Sequence, residues 1–136
     1  MKARRPGGFD IVKELGCSLP NVEATTRYDG SPVLKAHGVF MAGLAMHASA
    51  EADSLVVRAE FEERHGLLED APDMYYVTDY YRRYPVVLVR LPLLNRDVLR
   101  ELLTGSWRMT VAKRRKGHTG MARMPSAMQS EGMDPR

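Results

Sequence analysis

The chain has 136 residues, 44% hydrophobic and 27% charged, with a formal net charge of +3 and a pI near 9.2. That length bounds one domain, and that apolar content excludes wholesale disorder. No apolar run reaches the roughly 20 residues that span a bilayer, and the single cysteine, Cys17, excludes an intramolecular disulfide or a multi-thiolate zinc site.

Charge is unevenly spread. Residues 9–110 carry 11 Lys and Arg against 15 Asp and Glu, so this body is acidic by about −4. Lys2, Arg4 and Arg5 precede it, and residues 111–136 carry six basic and two acidic side chains. Basic ends on an acidic body suit arms that touch nucleic acid or acidic partners, and equally suit solubilising tails. The start, MKARRPGGFD, lacks the apolar segment of a signal peptide. The expected setting is the bacterial cytoplasm, with no membrane association.

In chain order, residues 1–8 read as a flexible arm punctuated by Pro6, Gly7 and Gly8. Asp10 is placed to cap a helix from Ile11 to Leu19, with Val12, Leu15 and Leu19 on one face and Pro20 as its stop. Cys17 lies off that line and reads as a small structural residue. Ala24–Tyr28, Val33–Ala36, Val39–Met46 and Ser54–Ala59 read as strands, divided by the Asp29-Gly30 and His37-Gly38 turn signals and by a polar loop over His47–Asp53. Glu60–Asp70 reads as an acidic helix with Phe61, His65 and Leu68 along one side, and His65 there reads as partly buried.

The stretch 74–107 organises the rest, with five of the six tyrosines and the only tryptophan. Met74–Tyr81 and Val86–Leu91 read as strands joined through Arg82-Arg83-Tyr84-Pro85. Asn95 caps a last helix striped by Val98, Leu99, Leu102, Leu103 and Trp107. After Thr110 the periodicity dissolves, so residues 111–136 read as a basic, disordered tail and 9–110 as the single folded domain.

The order α-β-β-β(-β)-α-β-β-α has too few helices to cover both faces of a sheet. It predicts an α+β fold of two layers, an antiparallel sheet with helices on one face. Strand alternation then sets Val87, Val89 and Leu91 against the helices. Val56, Val86 and Leu88 are left on an open, unusually apolar face with Arg58 and Arg90, a surface suited to a homodimer or a protein partner.

Motifs for catalysis are lacking: there is no GxGxxG, P-loop or GxSxG, and the four histidines share no metal-ligand spacing. His47 with Glu51 and Asp53 is the best that can be drawn, and it reads as a solvated loop. The expectation is a protein that is not an enzyme and takes no cofactor or metal. For nucleic acid, Arg82 and Arg83 in the hairpin connection, with Tyr81 beside them, offer phosphate contact and base stacking. Lys113, Arg114, Arg115 and Lys116 form the strongest basic cluster and suit sequence-independent electrostatic contact. Arg96, Arg100 and Arg108 lie off the apolar stripe beside Asp97 and Glu101, and read as a salt-bridged face.

Four pieces in series, LPNVEATTRY, VLKAHGVFMAGL, YYVTDYYRRYPVVLVRL and LRELLTGSWRMTVAK, resemble the MmcQ/YjbR family of small bacterial proteins, over roughly residues 9–113. Asn21 stands where the family usually has glycine, and Leu34 where it usually has an aromatic. The resemblance implies a two-layer α+β fold similar to CyaY-like or secretion-chaperone-like domains, the DNA-binding label that members commonly carry, and no catalytic residues. The reading that follows is a nucleic-acid-binding accessory protein using the basic hairpin and tail. The alternative is a chaperone-like adaptor or homodimer using the apolar sheet face.

Overall fold

The computed structural model describes residues 9–115. In chain order it runs α1 (Phe9–Cys17), β1 (Val22–Thr26), β2 (Pro32–Ala36), β3 (Val39–Leu44), β4 (Ser54–Arg58), α2 (Phe61–Asp70), β5 (Tyr75–Tyr76), α3 (Asp79–Arg82), β6 (Val86–Arg90), a 3-10 turn over Leu91–Leu93, and α4 (Arg96–Arg115). The strands form one antiparallel sheet in the order β1-β2-β3-β4-β6-β5. This is the expected α+β architecture, with an open antiparallel sheet.

Local chemistry explains the joints. His37 and Gly38 join β2 to β3 with φ of 55° and 80°, the positive pair that a two-residue hairpin with matching twist requires. Asn21 enters β1 at φ 59°, a left-handed position that asparagine tolerates in place of glycine. Helix α1 begins at Phe9, so Asp10 sits inside its first turn, where a carboxylate complements the dipole, rather than capping it. Asn95 caps α4 as expected, its Oδ1 accepting from the Val98 N–H at 2.8 Å. Helix α4 passes the Thr110 boundary and is described as far as Arg115. The five residues after Thr110 include no glycine or proline to break it.

One face of the sheet is closed by α1 and α4. Val12, Leu15, Leu99 and Leu103 pack on Leu34, Ala42, Leu55, Val57, Val87 and Val89, all essentially inaccessible. The approach is close: a Cβ added at Gly16 would stand 2.4 Å from the Leu34 side chain. Register slips by one residue between Leu34 and Lys35, so Met41 is bulged out of the β2–β3 ladder and joins Ala42 on the helix side. The β3–β4 ladder stops at Ala42 and Val57. The carbonyls beyond it are taken by side chains: Arg58 Nε donates to Phe40 O at 3.0 Å, and Ser106 Oγ of α4 donates to Met41 O at 3.1 Å.

The second face is not exposed to solvent, which corrects the expected open apolar surface of Val56, Val86 and Leu88. Alternation does send Val56, Val86 and Leu88 to that side. They are at most 1% exposed, buried with Val33, Phe40 and Tyr81 under Tyr76, Val77, Tyr80, Tyr84, Ala45 and Ala50. The cover comes from the stretch expected as a strand, Met74–Tyr81. Only Tyr75 and Tyr76 pair with β6, and the chain then leaves the sheet and turns once as α3 over the apolar face. Leaving Phe40, Val56, Val86 and Leu88 in water would forfeit roughly 1.5–3 kcal/mol each. A surface offered to a homodimer through Val56, Val86 and Leu88 is therefore already used within the chain.

Candidate nucleic-acid interface

The turn between α3 and β6 is built around one arginine that sequence spacing did not single out. Arg64 of α2 donates from Nη2 to Arg82 O at 3.0 Å, and from Nη1 to Tyr84 O at 3.0 Å and Val86 O at 3.1 Å. The guanidinium is nearly buried and stands 4.9 Å from the centre of the Phe61 ring. Burial lowers its pKa, and neighbouring Arg82 adds to that. Three carbonyls that the end of α3 and the turn leave without strand partners are thus held by one fork.

The clamp fixes the backbone and turns the two adjacent basic side chains outward. Arg82 and Arg83 are both exposed. Arg82 meets Asp79 at 3.3 Å, but with side chains 57% and 100% exposed this pair is worth at most about 1 kcal/mol and leaves Arg82 available. Tyr81 does not join them. It is 3% exposed, and its phenol oxygen accepts from the His47 N–H at 3.3 Å, so it cannot stack on a base. Burial pushes its pKa up. Tyr80 is occupied too, its ring stacked on His47 at 3.7 Å between centroids.

The basic end of α4 comes to the same end of the sheet. Helix α4 follows the last residue of β6, and ten residues into it Ser106 reaches Met41 O while Trp107 Nε1 donates to Pro20 O at 2.9 Å. Met41 and Pro20 lie at the level where β4 ends and β6 begins, because Arg58 pairs with Val86. The helix has therefore crossed the sheet, and the backbone of Lys113 lies about 10 Å further on at 1.5 Å per residue. Lys113, Arg114 and Arg115 follow in the same helix, and the Arg82-Arg83 turn leads into Val86 at this end, on the opposite face. Lys116 lies outside the described residues.

Other charged residues are committed. Arg96 meets Glu14 at 2.6 Å and Arg100 meets Asp97 at 3.5 Å, the salt-bridged face expected of them. Arg90 grips both carboxylate oxygens of Glu51 at 2.7 and 2.8 Å, lies over the Tyr76 ring, and lowers the Glu51 pKa. The loop carrying His47 and Glu51 is tied down by hydroxyls, with Glu51 N donating to Tyr76 Oη at 2.7 Å and Ser49 Oγ meeting Thr78 Oγ1 at 2.8 Å. His47 Nδ1 accepts from Ser49 N at 3.0 Å. The drawn trio His47, Glu51 and Asp53 does not converge: among the described residues no three His, Cys, Asp or Glu are arranged to hold a metal ion. His65, expected to be partly buried, is exposed and meets Glu69 at 3.3 Å. Among the described residues no helix is long and apolar enough to cross a membrane.

No family model matches the chain. Uncharacterised proteins of Mycobacterium bovis and Mycobacterium tuberculosis are 38% identical to it over 50 residues. That match takes in 37% of this chain and spans 39% of the length of those relatives. The crystal structure of Deinococcus radiodurans protein DR2400, a DUF419 domain, superposes with a TM-score of 0.63 at 18% identity, covering 96% of this chain and 99% of that one. This chain shares the small α+β fold of that domain.

Proposed function

We propose that this protein is a non-enzymatic, cytoplasmic nucleic-acid-binding accessory protein of the MmcQ/YjbR-like grouping, to which DUF419 domains also belong. The family assignment is supported by the motif series in residues 9–113 together with the fold shared with the DUF419 domain of DR2400. The binding role is supported by one observation above the others. Arg82 and Arg83, presented by the Arg64 clamp, share an end of the sheet with the Lys113–Arg115 stretch of α4, which lies on the other face.

The contact is electrostatic. Three of the body's arginines, Arg27, Arg58 and Arg64, are buried, so its exposed surface is more acidic than its formal charge. A broad phosphate-binding face is disfavoured by that balance, and binding concentrates at the end of the sheet that carries these basic residues. With Tyr80 and Tyr81 occupied, base stacking contributes little, and sequence preference is weak.

Fluorescence anisotropy of labelled duplex DNA, titrated with the full chain across a salt series, tests this. Binding should fall steeply with salt. Arg82→Ala with Arg83→Ala should cut the log–log salt slope by about 2, since each phosphate contact contributes about 0.9. Arg100→Ala, at a salt-bridged site, should leave the slope unchanged. No anisotropy change even at low salt sinks the proposal.

A further inference from the structure

The two edges of the sheet differ. Edge strand β5 is two residues long, the short kind of edge that resists pairing with another chain. Edge strand β1, VEATT, is five residues long and holds no proline, lysine or bulge. Its hydrogen-bonding direction follows from the ladder. Arg27 N donates to Ser31 O and His37 N to Asn21 O, so residues 21, 23, 25 and 27 turn their backbone groups toward β2. Pro32, which has no N–H, stands opposite Thr26 in a non-bonded pair, as that parity requires. The N–H and C=O groups of Val22, Ala24 and Thr26 point outward, and among the described residues no strand meets them.

We propose that β1 pairs antiparallel with β1 of a second copy of this chain about a two-fold axis at Ala24, giving one continuous sheet across the dimer. Register selects this arrangement. With Ala24 opposite its own equivalent, all five residues are paired: Val22 faces Thr26 and Glu23 faces Thr25 of the other copy. Valine opposite threonine is a favourable pair of β-branched side chains. Slipping the axis toward Glu23 sets two glutamates directly opposite, and slipping it toward Thr25 leaves Val22 unpaired. Self-pairing at Ala24 is thus the arrangement in which the strand is complementary to itself in both charge and length. The surface differs from the covered face of Val56, Val86 and Leu88, and does not depend on nucleic-acid binding.

Sedimentation equilibrium of the full chain over a concentration series tests it, with amide exchange followed at the same concentrations. The wild type should reach the mass of two chains, with the Val22, Ala24 and Thr26 amides gaining protection as it does so. Thr25→Glu sets Glu against Glu23 twice in each dimer and should weaken association about tenfold, while Thr25→Lys at the same site should preserve or tighten it. Both variants should melt as monomers within a few degrees of each other. A single-chain mass at the highest concentration overturns the proposal. So does a monomer whose outward amides are already protected, because another strand then covers the edge. A dimer indifferent to Glu or Lys at position 25 places the interface elsewhere and overturns it equally.

Discussion

The two faces of the sheet bury similar apolar side chains by different means. The α1–α4 face is closed by helices with periodic stripes, and its core cluster is aliphatic apart from Tyr75. The opposite face is closed by a four-residue helix and a loop, and polar groups do much of the closing. There Arg58 and Arg64 hold backbone carbonyls, Arg27 donates to Leu44 O and Ser31 Oγ at 2.8 and 2.9 Å, and tyrosine hydroxyls tie down the loop. A helix satisfies its own backbone, so it can cover a sheet with apolar side chains alone. Irregular chain cannot, and each carbonyl it buries must be given a donor. The basic turn proposed to touch nucleic acid is a by-product of that second solution.

The largest effect should come from asking whether the second face is a core at all. Phe40→Ala there and Leu103→Ala on the helix face should each destabilise the fold by about 3–5 kcal/mol, read from denaturant melts. Were the second face open, Phe40→Ala would cost under about 1 kcal/mol and the comparison would fail. Next comes the clamp. Arg64→Met keeps much of the side-chain volume but removes the donors to Arg82 O, Tyr84 O and Val86 O, and should cost on the order of 2–4 kcal/mol. Amide exchange should speed up at residues 82–86 while α1 and α4 stay protected. Uniform acceleration across the domain would show that the turn is not held separately.

How much of this was legible in the sequence follows the same division. Period-two alternation put Val87, Val89 and Leu91 with the helices and Val56, Val86 and Leu88 opposite them, and both assignments hold. What covers the second set was not legible. Tyr80, Tyr81 and Tyr84 suit a strand by propensity, and a single helical turn leaves no periodicity to detect. The contacts that overrule propensity join residues 34 apart, as between His47 and Tyr81, or 20 apart, as between Arg64 and Tyr84. Exposure of Arg82 and Arg83 could be read from their place in a connection. Withdrawal of Tyr81 could not, because Tyr81 is buried by the same distant contacts. Helix α4 runs on past Thr110 for a local reason: Val111–Arg115 carry no apolar stripe to signal a helix, yet none of them breaks one.

The smallest effect is the most specific to the polar face. Tyr81→Phe keeps the ring and removes the oxygen that accepts from His47 N–H, so it should cost about 0.5–1.5 kcal/mol near neutral pH. Its pH dependence identifies the group. Burial raises the Tyr81 pKa above its unfolded value of about 10. Its contribution is therefore fully present below that pH. Above it the unfolded chain loses the phenol proton first, and the contribution is lost as pH rises through the folded pKa. Tyr75, also raised by burial, adds a loss of the same sign, while Arg58, lowered to about 10 by burial, acts in the opposite sense. Both are present in the variant and cancel from the difference. The stability gap between wild type and Tyr81→Phe should stay flat from about pH 6 to 9 and shrink above about pH 10. A gap that stays constant through the alkaline range would mean that the Tyr81 phenol ionises as freely folded as unfolded, and that the face it closes is wetter than the helix face.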